Sequence, residues 1–249
     1  MLQTQLFSEG GHSWYAFCRD PEKAEHIIDT NEYLIVSGTE ALALDPGGTE
    51  IFPQVVSSFS EVVSIDQIKY FFASHQDPDI ISSLPLWMGM CRDAKIYMPW
   101  LWAGFIAHFG HEYAGSFEQV PDEGMDIRFA NGKTVTLVPA HYCHSSGNFS
   151  LYDPTAKILF SGDIGAALLP PEDNHVFVED FSKHIRYMEG FHRRWMPSNK
   201  AKNQWVARVR ELDIKMLCPQ HGAIFRGEQV GEFLDWFERL EVASVTTLA

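Results

Sequence analysis

The hydrophobic positions fall in short runs, each stopped by Pro, Gly or Asp, with no long apolar stripe. Residues 32–37 (EYLIVS) and 40–44 (EALAL) predict the two strands of a hairpin around Gly38, and Asp45-Pro46-Gly47-Gly48 ends the second. Runs of the same kind predict strands at 68–73, 95–98, 135–138, 149–152, 158–160 and 216–217. Helical spacing marks 52–59, 100–109, 181–195, 204–212 and 228–240. Pro53 suits the first turn of its helix, where a missing N–H costs little. Pro197 stops the helix at 181–195. Phe233, Leu234, Trp236, Phe237 and Leu240 give the last helix an apolar side. No element is assigned before residue 32. Strands alternate with helices in both halves, and no linker divides them. The expectation is one layered α/β domain over residues 1–249.

Composition narrows the class. The chain has 249 residues, 45% of them hydrophobic and 21% charged, which excludes a disordered or collagen-like protein. A net charge of −14 argues against nucleic acid as a partner, because phosphates need clustered Lys and Arg. No apolar stretch reaches the roughly 20 residues that cross a bilayer, and the first residues lack a signal pattern. Cys18, Cys91, Cys143 and Cys218 form no CxxC pair, so they read as buried, reduced thiols. The expected location is the cytoplasm, away from membranes.

Unusual chemistry gathers at four strand ends. Ser74-His75-Gln76-Asp77-Pro78-Asp79 follows the strand at 68–73. Pro139 to Asn148, containing His141 and His144, follows 135–138. Gly162-Asp163 follows 158–160, and Pro219-Gln220-His221-Gly222 follows 216–217. Loops at strand ends leave side chains free while the sheet holds their base. Residues two apart in extended chain point the same way, so His75, Asp77 and Asp79 can serve one place. Carboxylates crowded together are costly unless cations accompany them. With His144, Asp163 and His221 the set holds three imidazoles and three carboxylates. That is too many for one metal and suits two, one carboxylate bridging. Nitrogen and oxygen donors without thiolate favour iron, zinc or manganese.

These motifs together resemble the metallo-β-lactamase fold superfamily. Within it, the similarity is to the di-iron branch of flavo-diiron proteins and stand-alone oxygen-binding di-iron proteins. The resemblance runs from about residue 33 to about 240. Ala41 to Gly47 is similar to the first superfamily motif, with Asp45 structural. His75 to Asp79 stands where the superfamily has its HxHxDH loop, and Met196-Pro197-Ser198 also resembles the di-iron branch. The implied fold is an αββα sandwich with metals at one edge of the sheets. The resemblance implies that His75, Asp77 and His144 hold one iron, that Asp79 and His221 hold the other, and that Asp163 bridges them. Two departures stand out. Asp77 replaces the usual His or Glu, and Ile80 replaces a further His. Both bring the chain nearest the stand-alone oxygen-binding proteins.

The function expected on these grounds is O₂ binding, in sensing or scavenging, at a non-haem di-iron site. Ile80 cannot coordinate, which leaves the second metal open to a small molecule. The chain stops near the end of the metal region, so no flavodoxin-like part and no built-in FMN are expected. Reduction of O₂ would then need an external electron donor, while the resemblance implies a signalling partner. Di-iron members often form dimers, which makes a homodimer one candidate and leaves the oligomeric state open. The aromatic segments 87–90 and 100–109 are expected to shield the site. His141 is a candidate to orient His144, and Tyr142 a candidate donor to bound oxygen. His108 and His111 read as helix-surface or cap residues, His184 and His192 as part of a solvated helix face, and His12, His26 and His175 as loop residues. The rival readings are a binuclear zinc hydrolase acting on an ester, thioester or phosphodiester, and a metal-free scaffold.

Overall fold

A computed structural model describes residues 1–18, 27–106, 108, 115–170, 173 and 175–244. The readings of His26, His111, positions 107 and 109 of the helix at 100–109, and the last five residues lie outside these.

Two strands precede the first predicted one. β1 (Leu2–Glu9) and β2 (His12–Cys18) form a hairpin across Gly10 and Gly11, both at positive φ. β3 (Glu32–Ser37) and β4 (Glu40–Leu44) pair antiparallel as expected, Tyr33 opposite Leu44. β5 (Ile68–Phe72), β6 (Lys95–Pro99) and β7 (Phe117–Val120) then add in parallel, giving a seven-stranded sheet in sequence order. Helices α1 (Phe52–Ser60), α2 (Pro78–Ile81), α3 (Leu84–Met90) and α4 (Trp100–Ile106) lie between these strands in the chain.

The second sheet has six strands. β8 (Met125–Arg128), β9 (Thr134–Pro139), β10 (Phe149–Asp153) and β11 (Ile158–Gly162) run antiparallel. Between β11 and the next strand come α5 (Phe181–Trp195) and α6 (Asn199–Val209). β12 (Met216–Pro219) joins β11 in parallel, and β13 (Phe225–Arg226) closes the edge before α7 (Glu228–Arg239). α6 begins earlier than its apolar pattern indicates, because Ser198 caps it by accepting from the Ala201 N–H.

Three apolar clusters define the layers. Trp14, Tyr33, Phe72, Phe149 and Phe160 fill the space between the sheets. Val55, Phe59, Phe71 and Trp87 seat α1 and α3 on the outer face of the first sheet. Met188, Trp205, Val206, Phe233 and Phe237 seat α5, α6 and α7 on the second. The order helix, sheet, sheet, helix is the predicted αββα sandwich.

A buried polar knot crosses the sandwich. His12 Nε2 lies 2.5 Å from Asp153 Oδ2, and its Nδ1 lies 2.8 Å from Ser37 Oγ. Trp14 Nε1 donates to the same Asp153 oxygen at 2.6 Å. The loop reading of His12 is therefore corrected: the residue opens β2 and is 1% exposed. His184 and His192 are corrected too, at 3% and 0% exposed. Their basic neighbours suggest a solvated face, but 184, 188 and 192 share one stripe of α5, and that stripe turns inward.

Candidate metal centre

The four strand-end loops meet at one edge of the sandwich. β5 ends at Phe72, and Asp45 catches the chain just beyond it. Its two oxygens accept from Ser74 N–H at 2.7 Å and Ser74 Oγ at 2.6 Å. His75 Nδ1 donates to that hydroxyl at 2.9 Å, which turns Nε2 toward the carboxylates. Burial raises the Asp45 carboxyl to about 7 against the opposing pull of His75 and Ser74. Asp77 then leads into α2, with Pro78 at its start.

His144 comes from the β9–β10 loop at φ 77°, a left-handed conformation held by its neighbours. Tyr142 N–H donates to Ser145 O, and Asn148 Nδ2 to Cys143 O. Asp163 follows Gly162, whose φ of 58° turns the chain at the end of β11. Asn31 Nδ2 donates to Pro219 O and Gly222 O, and Tyr33 OH to Pro219 O, which clamps the His221 loop. His221 Nδ1 donates to Asp29 O at 2.9 Å, so its Nε2 also faces inward. Gly222 has φ 88°, and a Cβ there would lie 2.6 Å from the Ala167 Cβ.

All six predicted residues come together, in two linked groups. His75, Asp77, His144 and Asp163 each offer one donor atom, and these lie within 4.8 Å of one another. His144 Nε2 is 2.9 Å from Asp77 Oδ2 and 3.4 Å from Asp163 Oδ2. His75 Nε2 is 3.5 Å from Asp77 Oδ2 and 3.9 Å from Asp163 Oδ2. On the other side, His221 Nε2 is 3.4 Å from Asp163 Oδ1 and 3.3 Å from Asp79 Oδ2. One oxygen of Asp163 thus serves each group.

The charges match a cation site. Burial favours the protonated forms of Asp77 and Asp163, but the surrounding imidazoles outweigh it and hold both well below the usual carboxylate range. Burial likewise opposes a charge on His75 and His221. The facing carboxylates prevail, taking His75 up to about 9 and His221 well above its ordinary value. His75 Nε2 and Asp163 Oδ1 are buried with no hydrogen-bond partner among the described residues. Inward nitrogens, clustered carboxylates and orphaned donor atoms fit metal ions of intermediate to hard character.

Ile80, which the sequence reading gives no part in coordination, is wholly buried in the outer apolar cluster of the first sheet. Other expectations are corrected. Trp87 sits there too, packed on Phe52, Phe59 and Phe71, so it is a core residue. Trp102 does approach the site loops, lying against Gly147. His141 donates to Asp122 O at 2.8 Å and so anchors the β7–β8 turn. Tyr142 is 55% exposed. The covering rings belong to residues that the sequence pattern assigns only to a helix: Phe191 and Trp195 lie 6.0 and 5.3 Å from His144 between centroids. Gln76 and Gln220 also escape a reading of the sequence. An amide beside a predicted ligand gives no signal until its partner is known.

The profile of a family described as "ODP family beta lactamase" matches residues 28–222. The chain belongs to that family. A solved structure of a peroxy diiron species of the chemotaxis sensor ODP is 40% identical, with TM-score 0.87 over 97% of this chain and 96% of that one. The apo chemotaxis sensor ODP from T. denticola is 41% identical, with TM-score 0.87 over 96% and 95%. A flavo di-iron protein from Thermotoga maritima shares the fold at 18% identity and TM-score 0.80, over 95% of this chain and 60% of that one. No curated protein matches the chain. The family membership places this ODP-family chain in the di-iron branch of the metallo-β-lactamase fold. Among the described residues, no helix is long and apolar enough to cross a membrane.

Proposed function

We propose that this chain is an O₂-binding di-iron protein with a sensing role. His75, Asp77 and His144 would hold one iron, Asp79 and His221 the second, and Asp163 both. The observation that carries this reading is the division of the Asp163 carboxylate, one oxygen toward His75 and His144 and the other toward His221. A carboxylate shared in this way suits two adjacent cations. Iron is the metal named in the 40%-identical relative, and that relative is described as a chemotaxis sensor.

Paired irons supply electrons to O₂, chemistry that imidazole and carboxylate side chains lack. The chain's residues supply the rest. Ser74 and Asp29 orient His75 and His221 through their outer nitrogens. Ile80 brings no nitrogen to the second metal, so fewer of its positions are filled by protein. Asp77 and Asp79 are about a third exposed, at 31% and 34%, and mark the side by which a small molecule enters. Phe191 and Trp195 cover His144 and keep water from that flank. Buried, unpaired thiols suit a reducing cytoplasm, and the likeness to a chemotaxis sensor supports a signalling partner.

The test is anaerobic loading with Fe(II), then visible spectra during controlled addition of O₂. Two irons per chain and a new absorption band support the reading. In His144→Ala and Asp163→Ala the band is absent. Two bound zincs with esterase activity, and no O₂-dependent band, would establish the hydrolase instead.

A further inference from the structure

Each outer carboxylate of the cage is met by a glutamine that adjoins a histidine of the same cage. Gln76 follows His75. Its Nε2 donates to Asp77 Oδ1 at 3.1 Å, and its Oε1 accepts from Ser145 Oγ at 2.7 Å. Gln220 precedes His221, and its Nε2 donates to Asp79 Oδ2 at 3.3 Å. That oxygen is the one nearest His221 Nε2.

The two amides sit differently. Both ends of the Gln76 carboxamide are engaged, whereas Gln220 is 1% exposed and its Oε1 is buried without a partner among the described residues. Its backbone is fixed on both sides, donating to Gly162 O at 2.8 Å and accepting from Asn31 N–H at 2.6 Å. A buried amide left half-satisfied is unfavourable, and an aliphatic side chain would fill the same volume without that cost. The donor end of that amide is spent on Asp79. The carboxylate it touches belongs to the more sparsely held half of the cage. Asp77 lies in a group of four close donors. Asp79 has His221 and the Gln220 amide.

Resting on the two-iron reading, we propose that Gln220 is a positioning residue for the second cation, its N–H aiming Asp79 at that cation, and that Gln76 does the same for Asp77 at the first. Each amide then controls one metal and not the other. A hydrogen bond to the carboxylate removes its freedom to swing outward, where it is a third exposed.

Anaerobic calorimetric titration of the full metal-free chain with Fe(II) separates the two. Wild-type protein shows two binding events. Gln220→Met, which keeps the volume and loses the donor, weakens the second event at least about tenfold and leaves the first within about twofold. Gln76→Met shows the opposite split. A merely structural role would move both events together or neither, and either result overturns the assignment. Gln220→Leu gives the same split as Gln220→Met and serves if the methionine variant does not fold, as judged by the unfolding midpoint of the metal-free chain. If wild-type protein takes up fewer than two irons, the two-iron reading fails and this assignment falls with it. If it takes up two and Gln220→Met is unchanged, only this assignment fails.

Discussion

The rings of Trp195 and His144 lie 5.3 Å apart between centroids, and among the described residues no hydrogen bond orients that histidine from behind: the buried His144 Nδ1 has no partner there. His75 and His221 are each steered through Nδ1 by an oxygen acceptor. His144 is steered by packing against Trp195 and Phe191.

Trp195→Ala should therefore act on metal binding more than on folding. The side chain is 53% exposed, so the unfolding free energy should change by about 1 kcal/mol or less. Iron affinity of the site holding His144 should fall several-fold. Paired urea unfolding and calorimetric titration check this. A large loss of stability with unaltered iron binding would show that Trp195 is only a packing residue.

Iron must displace protons. In the metal-free chain, burial disfavours the charged His75 ring, but Asp77, Asp163 and Asp45 carry it to about 9. The ring is thus protonated at pH 7, and the cation competes with that proton. Iron affinity should rise from pH 7 toward pH 9, by up to about tenfold per unit for each proton released. Calorimetry in buffers of differing ionisation enthalpy measures that release, and a pH-independent affinity contradicts it.

His192 sets a separate window in acid. Burial lowers its ring to about 4, and the neutral form is held by donation to Met188 O and acceptance from Gly165 N–H, each at 2.9 Å. A depressed folded value means the unfolded chain takes up the proton first. The stabilisation is whole above the ordinary value of about 6.5 and disappears as pH falls to 4, a loss of about 3 kcal/mol. Urea midpoints of the metal-free chain should decline across that range, and His192→Gln should flatten the slope.

The His12–Asp153 pair ties the sheets together where no solvent reaches. Asp153→Ala would strand His12 Nε2, Trp14 Nε1 and the N–H groups of Thr155 and Ala156. The expected cost is about 3–5 kcal/mol, read from equilibrium unfolding. A cost below about 1 kcal/mol would mean water replaces the carboxylate.

Short apolar runs with their Pro, Gly and Asp stops determined β3, β4 and six later strands, though not β7, β8 or β13, and the helix Phe181–Trp195 to the residue, because those signals are local. Residue type and the strand-end setting also determined which six side chains to watch. The pairing of sheets, however, brings together positions far apart in the chain, and no local pattern encodes that. It put His12 against Asp153, turned His192 inward, buried Ile80 and Trp87 in the core and laid Trp195 over His144. It also set which oxygen of the expected bridging residue Asp163 faces which imidazole, since a carboxylate's partners depend on where three other loops end.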